Sequence, residues 1–195
     1  KRNGQAPKSG GIKMKKVSTY TLALIGVMAA ITCIVGPLSI NIPISPVPIS
    51  LTNLAIYISV FVLGWKKGTV SYLIYLLVGL VGLPVFSGFS SGFTKLAGPT
   101  GGYLIGFILM AVVCGWFVEK FSGKIYMYII GMALGTGIAY LFGTVWLAKL
   151  MNLTFMEGLA SGVIPFLPGD VVKVIISVLA GPILQKQLKR AGILE

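Results

Sequence analysis

Six stretches of the chain are apolar almost without interruption, and most of the charged positions fall between them. A bilayer core takes about 20 mainly apolar residues per helix, within a range of roughly 17–25. The first candidate is Thr19–Gly36, stopped by Pro37. Residues 37–50 then carry Pro37, Pro43, Pro46 and Pro48 and cannot be a helix. Leu51–Gly64 ends at Trp65-Lys66-Lys67-Gly68, and Thr69–Leu83 ends at Pro84. The last three candidates are Gly101–Val118, Ile125–Met151 and Pro168–Leu184, with residues 158–167 an extra apolar approach to the last. The pattern predicts an all-α integral membrane protein of six transmembrane helices.

Charge placement orients that array. With six spans, the N-terminus, the 65–68 and 119–124 turns and the C-terminus share one side, which holds 13 of the 16 basic residues. Setting aside Lys1, Arg2, Lys8 and Lys13 still leaves 9 of 12 there. Basic loops stay inside, so both termini are expected in the cytoplasm. Trp65 and Trp116 near the inner boundary and Trp146 near the outer one suit an aromatic belt. Five spans would split the basic clusters between the two sides. The opening KRNGQAPKSGGIK has no apolar h-region; residues 1–13 read as an expression remnant or a disordered N-terminus. Residues 14–195 read as a single membrane domain.

Composition agrees. The chain is 56% hydrophobic and 10% charged, against roughly 25% charged in soluble domains. The net charge of +12 sits in short clusters between apolar runs, which argues against nucleic acid as its partner. There is no His, and Cys33 and Cys114 lie inside apolar segments. No metal cluster, disulfide framework or nucleophile–base set follows from that inventory, and no cofactor is expected. No G-x-x-x-x-G-K-[ST] occurs, so the chain has no ATP site of its own to offer.

The chemistry is concentrated in the outer connections. Residues 82–107 combine Gly88 and Gly92, which permit backbone conformations closed to other residues, with Phe86, Phe89 and Phe93. Thr100 stands where a helix N-cap is expected, and Tyr103 follows in the first turn with a ring and a hydroxyl to offer. From Gly158 to Leu184 the only ionisable side chains are Asp170 and Lys173. At i and i+3 they share a helix face, about 5–6 Å apart at Cβ. Each would cost about 2.5–3.5 kcal/mol at mid-bilayer. Two readings stand: an intrahelical ion pair, or a site in which Lys173 meets a ligand carboxylate and Asp170 accepts ligand N–H groups. Lys95, Lys149 and Glu157 read as exposed or interfacial. The first helix carries small residues at Ala23, Gly26, Ala30 and Cys33; small-xxx-small spacing admits a closely packed helix, from within the fold or from a partner.

Three runs carry a resemblance: Gly82-Leu-Pro-Val-Phe86, Gly98-Pro-Thr-Gly-Gly-Tyr-Leu-Ile-Gly106, and Pro168-Gly-Asp170-x-x-Lys173, with Pro46-Val-Pro-Ile49 fitting before the second helix. Together they resemble the biotin-specific substrate-binding component, BioY, of energy-coupling-factor (ECF) transporters, over nearly everything from Met14 onward. The resemblance implies a multi-pass protein of a prokaryotic cell membrane that captures biotin from outside. It implies association with a transmembrane coupling protein and two ATPase subunits, and no enzymatic activity of its own. Biotin's carboxylate would pair with Lys173. Its ureido group would meet Asp170, backbone groups and hydroxyls, with Thr52, Ser90 and Thr100 as candidates, and its bicycle would rest on Phe86, Phe93 and Tyr103. The coupling surface would be Ala23, Gly26 and Ala30, with Gly26 where the family usually has Ala. Other departures are Thr52, where the family often has Gln, and Phe89, Ser91 and Phe93, where its loop is richer in Gly. Two alternatives are the same architecture serving another vitamin and a solitary secondary transporter; a carrier of that kind usually has more intramembrane acids than the single Asp170.

Overall fold

The computed structural model describes residues 18–194, so the reading of residues 1–13 lies outside the described residues. Helices fill all six apolar stretches. They are α1 (Thr19–Val35), α2 (Thr52–Leu80), α4 (Gly101–Lys120), α5 (Ile125–Met151) and α7 (Leu167–Arg190), α2 spanning the second and third stretches. Two short helices, α3 (Phe93–Ala97) and α6 (Phe155–Gly162), lie in the connections. By length and composition, α4, α5 and α7 are long and apolar enough to cross a membrane, and α1 is a shorter apolar helix.

The second and third predicted helices form one run broken at Gly64, whose φ of 74° is the left-handed region that only glycine enters freely. The two halves fold back on each other. A Cβ on Gly68 would lie 3.2 Å from the Cα of Val60, whereas eight residues of straight helix span about 12 Å. Glu119 of α4 closes the break, its Oε1 accepting the Trp65 backbone N–H at 3.0 Å.

Two features depart from an all-helical reading. The proline-rich stretch holds a small antiparallel hairpin, β1 (Ser39–Ile40) with β2 (Ile49–Ser50), paired Ser39 to Ser50 and Ile40 to Ile49. The approach at 158–167 is largely α6, opened by a capping box in which Thr154 and Glu157 serve each other's backbone N–H. The last helix also runs beyond Leu184 to Arg190.

Close packing depends on missing side chains. Gly131, Gly135, Ala139 and Gly143 recur every four residues down α5, and α4 packs against them. A Cβ on Gly135 would sit 2.6 Å from Cys114 Sγ, and one on Gly143 2.2 Å from the Tyr103 ring. This is the small-residue contact that membrane helices use in place of a hydrophobic drive. The main core joins α2, α4 and α5 around Tyr57, Phe61, Tyr72, Met110 and Met132, all essentially inaccessible. On the outside α7 exposes Val171, Val172, Ile175, Ile176 and Leu179, a surface suited to lipid rather than water.

Candidate functional site

At the end of the bundle opposite the Trp65–Lys67 turn, several elements converge on one cavity. The hairpin contributes Val47 to Ser50, the start of α2 Thr52 and Asn53, and the first turn of α4 Thr100 and Tyr103. Tyr75, Ser87, Leu104, Phe107, Tyr140 and Phe166 complete the wall around Asp170 and Lys173.

Helix α7 starts at Leu167 with Pro168 in its first turn, where the missing N–H costs nothing. Asp170 in that first turn is favoured by the helix dipole. Asp170 is only 8% exposed, and donors from three elements compensate its burial. Oδ1 accepts from Asn53 Nδ2 of α2 at 2.9 Å and from Lys173 Nζ at 2.8 Å. Oδ2 accepts from the Tyr140 hydroxyl of α5. Lys173, 6% exposed, also donates to the carbonyl of Ser50 in the hairpin at 2.6 Å. An ammonium has three donors, and two are used within the protein. The Asp170–Lys173 pair is therefore an ion pair and also a junction of α2, α5, α7 and the hairpin.

The sequence-derived candidates divide. Asp170, Lys173, Tyr103, Thr52 and Thr100 line the cavity. The Tyr103 hydroxyl donates to the Gly162 carbonyl at 2.7 Å, so its ring, not its hydroxyl, is what remains for a ligand. Thr100 occupies the N-cap position but makes no cap; its hydroxyl donates to Lys95 O at 3.3 Å. Phe86, Ser90 and Phe93 lie outside the lining. Phe86 is fully buried against Tyr75, with ring centroids 5.6 Å apart. Ser90 closes a turn onto Phe86 and donates to Ser87 O at 2.8 Å. Phe93 is 72% exposed. On α1, Ala23, Gly26 and Ala30 are exposed together, and a Cβ on Gly26 would meet nothing within 4 Å. That stripe faces away from the contacts with α2 made by Ile25 and Met28.

Sequence reasoning missed Asn53, Tyr140 and Tyr75. Asn53 carried a usable signal, because an amide among apolar helical residues needs a partner in a membrane. Tyr140 and Tyr75 look like ordinary aromatic positions. The Tyr75 hydroxyl is buried, lines the cavity and has no hydrogen-bond partner among the described residues, which leaves it open to a ligand. The free volume is about 60 Å³, room for a few waters and well under the roughly 300 Å³ at the small end of ligand pockets. A ligand of two fused rings and a chain would require the wall to yield.

Residues 12–190 match the model of the BioY family. The biotin transporter BioY of Thermotoga maritima is 39% identical over 147 residues, covering 75% of this chain and 86% of the relative. The biotin transporter BioY2 of Lactococcus lactis subsp. cremoris is 33% identical over 179 residues, covering 92% and 97%. Among solved structures, the crystal structure of the S-component for biotin from an ECF-type ABC transporter superposes with a TM-score of 0.79. It is 34% identical, covering 85% of this chain and 90% of that one.

Proposed function

This chain belongs to the BioY family, and on that premise we propose that it captures biotin at the Asp170–Lys173 cavity for an ECF-type transporter. It is a biotin S-component, a transport subunit and not an enzyme. The observation that carries the site is the buried ion pair, joined to three other elements and set in a wall that also holds Phe166, Phe107 and the Tyr103 ring.

The chemistry of biotin suits that wall. Its carboxylate takes the remaining Lys173 donor and competes with the Ser50 carbonyl for another. Its ureido N–H groups have Asp170 as acceptor, and its ureido oxygen has the open Tyr75 hydroxyl as donor. The apolar bicycle lies on the aromatic rings. Helices in all six apolar stretches and the cluster of basic residues at one end support six spans with both termini cytoplasmic in a prokaryotic cell membrane. The cavity then faces outward. Transport energy comes from partners: the exposed Ala23–Gly26–Ala30 stripe receives a transmembrane coupling protein, which joins two ATPase subunits.

Titration of the purified protein in detergent with biotin tests the reading, with thiamine and riboflavin as competitors. Saturable binding displaced by neither vitamin is expected. No binding at micromolar protein with excess biotin would overturn it.

A further inference from the structure

Helix α5 has a second small-residue face, and nothing among the described residues fills it. Ala133 and Gly137 are exposed, and a Cβ on Gly137 would meet nothing within 4 Å. Opposite them α7 presents Val171, Ile175 and Leu179 but does not close the distance, leaving an apolar groove of about 590 Å³. The groove follows α5 from Ile125 to Tyr140, fifteen residues or about 22 Å at the helical rise. Volume over length gives a mean cross-section of about 26 Å², well below that of a helix 10–12 Å in diameter. The lining between its ends is almost wholly apolar, which suits the methylenes of an acyl chain.

The two ends differ. The outer end reaches Tyr140 and Asp170, the hydrogen-bonded pair that also lines the biotin cavity. The inner end opens beside Lys124, which precedes Ile125. On α7, Lys186 lies seven residues beyond Leu179 on the same helical face. Both lysines are exposed, and neither forms an ion pair among the described residues. Basic positions between membrane helices on the cytoplasmic side suit anionic headgroups. We propose that the groove between α5 and α7 binds one acyl chain of an anionic phospholipid, its headgroup held at the cytoplasmic mouth by Lys124 and Lys186. The headgroup assignment rests on the orientation proposed above. Helix α1 packs on α2 and makes no substantial contact with α5, so the lipid leaves the exposed α1 stripe free.

The test is photocrosslinking of the full chain in nanodiscs of phosphatidylcholine, with phosphatidylglycerol carrying a diazirine on one acyl chain as the probe. Peptide mapping is expected to concentrate adducts within 125–140 and 167–179. Unlabelled phosphatidylglycerol should displace the probe better than added phosphatidylcholine. Gly137→Phe fills open space and should reduce those adducts at least tenfold, a change equivalent to about 1.4 kcal/mol; Ala133→Phe is the independent repeat. Lys124→Glu with Lys186→Glu should abolish the preference for phosphatidylglycerol. Adducts spread evenly over all exposed helices, or adducts unchanged by both groove-filling variants, would each overturn the proposal. Biotin titration on the same discs keeps the two claims apart: absent biotin binding with an intact adduct map sinks the functional reading and leaves the groove standing.

Discussion

Replacing Asp170 with Asn keeps its shape and removes its charge, so the junction can be tested without opening a void. Three donors converge on this carboxylate. A hydrogen bond to a charged acceptor contributes about 1.5–3 kcal/mol and a neutral one about 0.5–1.5. The Asn53 and Tyr140 bonds together therefore lose about 2 kcal/mol. Lys173, 6% exposed, loses its counter-ion, and breaking a buried pair from one side costs about 3–5 kcal/mol. Thermal unfolding in detergent should show a large drop in stability, and biotin titration a weakening of at least tenfold, about 1.4 kcal/mol. The informative control is Asp170→Leu with Lys173→Met. Apolar replacement of a whole buried pair is often neutral or stabilising, so stability should largely return while biotin binding stays lost. Wild-type affinity in the double variant would reduce the pair to a structural element and refute its role in capture.

Other expectations follow from single contacts. Asn53→Ala removes a donor to Asp170 and should weaken biotin binding several-fold in the same titration. Gly26→Trp or Ala30→Trp should leave biotin binding intact and block co-purification with the coupling protein; lost biotin binding would place those residues in the fold's own packing. Gly64→Ala puts a Cβ 1.9 Å from Glu119 Oε1 at a φ of +74°, and should cost at least about 1–3 kcal/mol in thermal unfolding. Glu157 is held below its ordinary pKa by the Thr154 backbone N–H and hydroxyl. Its contribution to α6 is complete above the ordinary carboxylate value of 4.5 and is lost as pH falls through the lower folded value. Glu157→Gln should therefore increase hydrogen exchange in 155–162 at neutral pH, and acidification should do the same to the unaltered chain.

The helices were legible because a bilayer imposes one requirement, a long apolar run, that composition alone reports. The break at Gly64 was legible from Trp65-Lys66-Lys67-Gly68, since polar residues mark where the chain leaves apolar surroundings. The end of α7 was not, because its helix continues through Lys186 and Arg190 after the apolar pattern stops. Prolines excluded a helix at 37–50 but say nothing of strand pairing, so the hairpin was invisible. Asp170 and Lys173 stood out because unpaired charge in an apolar run is expensive. Asn53 signalled that a partner was needed but not which one, since Asp170 lies 117 residues away, and Tyr140 carries no such cost signal. The aromatic loop shows the remaining limit: Phe86 and Phe93 have the same chemistry, yet one is fully buried beside Tyr75 and the other faces outward. Only the path of the backbone decides between them.

The bond from Lys173 to the carbonyl of Ser50 has a thermodynamic consequence. The empty site already contains a rival for its own ligand, a carbonyl tethered in place at high effective concentration. Any carboxylate arriving at Lys173 must outbid it, so measured affinity is a difference between two occupants of one ammonium. Weakening the hairpin's hold, without touching a single group that meets biotin, would then tighten binding.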